Sequence, residues 1–344
     1  MENGPPFPWI NIGGITMPAI NSRMIGVEIG SNTLKMAVVS GGQVKKMAYK
    51  AMPEDLVREG RLTSANAMTA FLKEMMKENG IRGGSCALVL PSPIVIGHHV
   101  SMPAMSDSEL KLNLPFEFRD FVGKDGAKFS YDYSVMDIKD NVMELYAAAV
   151  RNDVVEQYYS AFRKAGLTLK IATPAEMAWG NLIATAPNLP RKMCIVDIGH
   201  TSTRVNVYVD GNFVMGKDIE MGGALIDQTI ADNQQIDAFA ARVRKEANMN
   251  KVLSADFMSD VYQALAIEVM KIVNFFNYSD QTEGGRLEHL YYCGGSSQVE
   301  SLRNCLLKAT GMTLHHIYRL VNLEGATADQ ALYCALAAGA ASQK

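Results

Sequence analysis

Ile25-Gly26-Val27-Glu28-Ile29-Gly30-Ser31-Asn32-Thr33-Leu34-Lys35 returns far along the chain as Cys194-Ile195-Val196-Asp197-Ile198-Gly199-His200-Thr201-Ser202-Thr203-Arg204. Both stretches read as an apolar strand bearing an acid near its end, then glycine, small or polar residues, and a base that opens a second apolar strand. Self-similarity of this kind marks a duplicated architecture. Each copy predicts a β-hairpin. Gly30 and Gly199 let the backbone turn sharply. The turn amides of Gly30–Thr33 and Gly199–Ser202, with the hydroxyls of Ser31, Thr33, Thr201 and Ser202, can donate to phosphate oxygens, and Lys35 can add a point charge. Glu28 and Asp197 can hold Mg²⁺, usually through water, because Mg²⁺ dehydrates reluctantly. One copy alone would read only as a hairpin with a polar turn. Two copies facing each other would grip a polyphosphate from both sides.

A third element stands near the end of the second copy. Tyr291-Tyr292-Cys293-Gly294-Gly295-Ser296-Ser297 predicts a strand running into a Gly-Gly turn, with a helix from Gln298. Glycines there allow a flat base or ribose to approach the backbone.

Working outward, each copy opens a hairpin series. The first has strands over 25–29, 34–40 and 44–51, and the second over 194–198, 204–209 and 213–219. Helices are expected over Ala65–Glu78, from Thr173 to Ile183, and over Ala328–Ala340. Between the strand at 85–90 and Thr173, a block reads β-α-β-β-α-β. It has strands at 95–101, 129–137, 142–150 and 167–172, and helices at 106–121 and 152–165. Ser106 and Glu109 stand at capping-box spacing. The expected organisation is a first subdomain of 24–99, 173–189 and 328–344, with an inserted subdomain at 100–172. A second subdomain follows at 190–231 and 286–327, with a helical insertion at 232–285. Residues 1–23, rich in Pro and Gly, read as a flexible leader or, through Phe7, Trp9, Ile10 and Ile12, as a short docking peptide.

Composition narrows the function classes. The 344 residues suffice for two cores, with 48% apolar and 20% charged residues and a net charge of −3. No basic stripe points to nucleic acid, and no apolar run approaches the roughly 20 residues of a membrane span. The five cysteines have no metal-ligand spacing and read as buried thiols of a reducing compartment. The pairs His98-His99 and His315-His316 each point to opposite faces of a strand, which disfavours a shared metal.

The order hairpin, hairpin, strand-Gly-Gly-helix, small-residue helix resembles the actin, Hsp70 and sugar-kinase superfamily. The implied fold class is α/β: an actin-like (ribonuclease H-like) duplicated ATPase fold with a β-α-β-β-α-β subdomain inserted in the first half and a short helical insertion in the second. In those terms Glu28–Lys35 looks like the first phosphate loop, Asp197–Arg204 like the second and Gly294–Ser296 like the adenosine motif. The inserted block is similar to that of FtsA and of the type IV pilus assembly (PilM) family. Tyr131-Asp132-Tyr133, Ala165-Gly166-Leu167 and Met221-Gly222-Gly223 resemble the latter. FtsA would need a longer second insertion and an amphipathic C-terminal tail, whereas this sequence ends Ala340-Ala341-Ser342-Gln343-Lys344.

The resemblance implies ATP with Mg²⁺ as cofactors, slow turnover at best, and a cytoplasmic scaffold brought to the inner membrane face. Its partner would be a PilN-like inner-membrane protein that offers a short cytoplasmic tail, and self-association is a further option. An FtsA-like division protein and a small-molecule kinase of the same fold are the alternatives. Glu28 stands where the superfamily usually has Asp, and His200 where a small residue is usual. Ala241 and Arg244 match the acid and lysine that hold ribose and base.

Overall fold

The computed structural model describes residues 23–53, 55–280 and 285–342, so nearly all of the 1–23 segment lies outside the described residues. The chain divides into two units. One runs to Thr185 and adds Val321–Gln330 and the stretch from Cys334. The other is Ala186–Leu320 with Ala331–Tyr333.

In the first unit the hairpin series forms as the alternation requires: β1 (Met24–Ile29), β2 (Thr33–Ser40) and β3 (Gln43–Ala51). A two-stranded ribbon of β4 (Val57–Arg58) and β5 (Arg61–Leu62) leads to α1 (Ala65–Glu78). Ser64 caps this helix by accepting from the Ala67 amide at 3.2 Å. α1 buries Met68, Leu72 and Met75 at helical spacing. Strand β6 (Gly84–Val89) follows. Every residue of β1 is buried, as befits a central strand covered on both faces.

Next come β7 (Val95–Pro103), α2 (Asp107–Glu117), α3 (Arg119–Val122), β8 (Phe129–Lys139), β9 (Val142–Arg151), α4 (Asn152–Ala165), β10 (Leu167–Thr173) and α5 (Ala175–Ile183). The helix expected over 106–121 is two helices, the first ending and the second starting at Phe118, at φ −96° and ψ 0°.

Strand pairing corrects the expected subdomain boundary. β10 pairs in parallel with β6, completing a five-stranded sheet ordered β10-β6-β1-β2-β3. On α4, Val154, Tyr158 and Phe162 bury in the same core as α1 and that sheet. The separate body is therefore the three-stranded sheet β7-β9-β8 with α2, whose own core holds Val100, Leu110, Leu114, Phe118 and Leu145. The β-α-β-β-α-β order of 100–172 is real along the chain. Its last helix and strand nonetheless belong to the main sheet, because β6 offers them a parallel edge.

The second unit repeats the plan. It contains β11 (Lys192–Ile198), β12 (Thr203–Val209), β13 (Asn212–Ile219), α6 (Gly223–Gln234), α7 (Ala238–Glu246), α8 (Ser259–Ser279), β14 (His289–Cys293), α9 (Glu300–Thr310) and β15 (Thr313–His316). The sheet order β13-β12-β11-β14-β15 matches the first sheet position for position and direction for direction. The helical insertion expected from 232 is not continuous: α6 ends at Gln235, which is left-handed at φ 52°, and α7 starts where Asp237 caps Ala240 at 2.8 Å. Leu265, Val269, Val273 and Phe276 of α8 share one core with the sheet.

The small-residue helix α10 (Ala328–Ala341) explains Gly26. A Cβ there would sit 1.7 Å from the Ala337 carbonyl oxygen, so only glycine lets strand and helix touch. Four of the five cysteines are buried and all are free. Burial pushes the Cys86 and Cys334 thiols up to about 12.

Candidate functional site

In the first unit, β1 and β2 place Glu28 directly opposite Lys35. The two side chains form an ion pair and are only 10% and 12% exposed. Between them the turn closes through Gly30 N–H donating to Thr33 O at 3.0 Å. The Asn32 carbonyl accepts from Met52 N at 2.9 Å. Ser31 lies exposed on this turn, with Asn32 and Thr33 half-buried.

The second turn has the same closure, Gly199 N–H to Ser202 O at 3.0 Å, and the same register, with Asp197 opposite Arg204. The charges are arranged differently. Arg204 turns to Asp218 on β13, donating from Nε at 2.5 Å and from Nη2 at 2.6 Å.

Three further elements converge on the second turn. Gly222 and Gly223 open α6, whose first amides are spent on the turn. Gly223 N–H donates to Gly199 O at 2.9 Å and Ala224 N–H to His200 O at 2.7 Å. A Cβ on Gly222 would lie 2.7 Å from both of those carbonyl oxygens. Ser296 Oγ donates to Gly199 O at 3.2 Å. Gly294, at φ 84°, brings its Cα so close that a Cβ would meet Asp197 Oδ1 at 2.5 Å. The Gly294 amide donates to Leu332 O at 2.9 Å, and a Cβ on Gly295 would press on the Tyr333 ring at 2.9 Å. The helix expected from Gln298 begins at Glu300, after a single 3₁₀ turn over Gly295–Gln298.

The structure does not bring Arg244 to this turn. Arg244 donates to the Gln234 side chain. The cation at the site is Lys245, which donates to the Gly223 carbonyl at 3.0 Å and to Asp227 Oδ2 at 2.8 Å. Arg242 approaches His200 Nε2 at 3.4 Å. Burial holds the His200 imidazole below its ordinary range, and the Lys245 and Arg242 charges add to the effect. The signal for Lys245 is its spacing. It stands four residues after Ala241, which is fully buried, so both share one face of α7.

For Mg²⁺ the two acids differ. The Glu28 carboxylate is held by the Lys35 ammonium and does not fit a hydrated divalent ion. Asp197 fits. It is half-buried beside the glycine approach, and among the described residues no side chain donates to its carboxylate. Among the described residues no group of three or more His, Cys, Asp or Glu could hold a metal by itself. Outside the turns, His98 packs against Phe118 and Phe121, while His315 bonds His289 at 3.0 Å.

The family model described as type IV pilus assembly protein PilM matches residues 26–333. Among solved structures, the chain is similar to a PilM-PilN type IV pilus biogenesis complex, with a TM-score of 0.79 at 21% identity over 94% of this chain and 98% of that chain. It is also similar to ethanolamine utilization protein EutJ from Carboxydothermus hydrogenoformans, with a TM-score of 0.57 at 16% identity over 88% of this chain and 87% of that one. At these identities the likeness establishes the actin-like fold. No curated protein matches the sequence.

Proposed function

This chain belongs to the type IV pilus assembly protein PilM family, and from that premise we propose that it is an ATP-binding scaffold that docks the cytoplasmic tail of a PilN-like inner-membrane protein. The observation that carries the docking is the three-stranded sheet Val95–Arg151. Among the described strands its β8 is an outermost one, paired with β9. Val135 and Ile138 on β8 are exposed, as are Leu112 and Phe116 on α2. An outer strand and the apolar side chains around it suit an extended peptide, with side-chain pockets setting specificity. The similar PilM-PilN complex supports that partner. No helix among the described residues is long and apolar enough to cross a membrane, so recruitment to the inner face would come from the partner.

The nucleotide half of the proposal rests on the second turn. Gly294 brings bare backbone against Asp197, and Gly222, Gly223 and Ser296 converge on the Gly199–Ser202 turn that follows it, with Lys245 beside them. Mg²⁺ would supply charge neutralisation for phosphates there, held through Asp197.

A labelled peptide from the cytoplasmic tail of the neighbouring PilN-like protein, titrated against the wild type and the V135D/I138D variant, tests the docking. Saturable binding that the double substitution weakens at least tenfold is expected. Binding indifferent to it would place the docking surface elsewhere.

A further inference from the structure

We infer that the first turn carries no divalent-ion site, and that a residue on the third strand of each sheet decides which of the two duplicated acids is open to metal. This rests on the nucleotide reading above and deepens it.

The argument is a comparison of two rows across the sheets. In the first row Glu28 faces Lys35 and Lys35 faces Tyr49; in the second Asp197 faces Arg204 and Arg204 faces Asp218. Directly opposed residues on neighbouring strands lie on one face and within reach of each other. A base in the middle strand therefore has two cross-strand neighbours within reach. Arg204 has an acid on each side and takes Asp218 in a two-pronged bond, which planar guanidinium favours. Lys35 meets a phenol ring on β3 and an acid on β1, and it pairs with Glu28. The extra methylene of glutamate lengthens the reach toward it.

The two acids thus have different electrostatic surroundings despite equal register. An ammonium already sits against the Glu28 carboxylate, at a place with little solvent to screen it. Adding Mg²⁺ there would set a double positive charge beside a single one. At Asp197 the neighbouring cation, Arg204, is paired with Asp218 instead, and Gly294 approaches Oδ1 with no side chain of its own. The first row holds its own internal cation, whereas the second leaves its acid for an external one.

The experiment has two arms. In the first, ATP affinity is measured calorimetrically with Mg²⁺ and with EDTA for the wild type, E28Q, D197N and D218N. D197N is expected to lose at least tenfold of the Mg²⁺-dependent gain. D218N is expected to lose severalfold, because Arg204 returns to Asp197. E28Q should keep the gain. If E28Q loses it as D197N does, the inference is overturned. The second arm needs no nucleotide, so it separates this inference from the ATP reading. Unfolding constants are compared for E28Q, K35M, the double variant, and each of these in a Y49D background. The double variant is expected to unfold at least about tenfold less readily than the two singles together imply, as contacting charges do. In Y49D, where an acid competes for Lys35, that coupling should shrink. Additive singles, or a coupling indifferent to Y49D, would overturn the inference even if ATP does not bind.

Discussion

Lys245 on α7 and Asp227 on α6 are joined at 2.8 Å, and the lysine also holds the Gly223 carbonyl, so one cation ties two helices to the glycine pair beside the second turn. Asp227 is 5% exposed. Stripping a buried charge of its counterpart costs about 3–5 kcal/mol, and Arg242 Nε, 3.9 Å from Asp227, holds the loss of Lys245 to the lower end of that range. Lys245→Met is therefore expected to destabilise by that order in denaturant titration. The Lys245→Met/Asp227→Asn double variant should recover part of the loss. Arg244→Met, which releases only Gln234, should cost less than about 1 kcal/mol. Equal costs for Lys245→Met and Arg244→Met would contradict the assignment.

His200 gives a pH dependence with a definite sign. Burial first, and then Lys245 and Arg242, keep its folded-state pKa below the ordinary imidazole value of about 6.5. The unfolded chain then binds more protons below that pH, so stability is complete above about 6.5. It falls as pH drops from there toward the folded-state value. His98 and His315 share this sign, each through burial first. Denaturant midpoints between about pH 5 and 7.5 should slope less steeply for His200→Gln than for the wild type. An unchanged slope would show that His200 is not protected from protons.

Gly26 is a packing constraint rather than a site residue, although it opens the repeat. A methyl at Cα would overlap the Ala337 carbonyl of α10 at 1.7 Å. Overpacking costs typically about 1–3 kcal/mol, and backbone cannot move aside as a side-chain tip can. Gly26→Ala should reach the upper end of that range by thermal melting. Gly41→Ala, where a Cβ meets nothing within 4 Å but φ is 58°, should cost about 1 kcal/mol.

ATP hydrolysis by the isolated protein should fall far below the typical enzyme range of about 1–1000 per second. Glu28 is occupied by Lys35, and the first amides of α6 are spent on the Gly199 and His200 carbonyls rather than facing outward. A phosphate-release assay showing turnover above about one per second without a partner would contradict this.

The duplication, both hairpin series and helices such as Ala65–Glu78 and Asn152–Ala165 were legible in the sequence alone, since each depends on a repeat or a period spanning a few residues. The glycines of the second turn were legible for the same reason, because close backbone approach admits little else. What the tertiary structure decided was partnership. β10 and α4 read locally as part of the inserted block, yet β6 draws them into the main sheet. β15 is four residues with two histidines, too short for a pattern, and exists because β14 offers it an edge. Arg244 and Lys245 are adjacent in the sequence, and only the packing of α7 turns Lys245 toward Asp227. Glu28 and Asp197 occupy equal places in the repeat. What separates them is the third strand, Tyr49 in one sheet and Asp218 in the other, because a charge pairs with whatever register sets across from it and no local pattern carries that register.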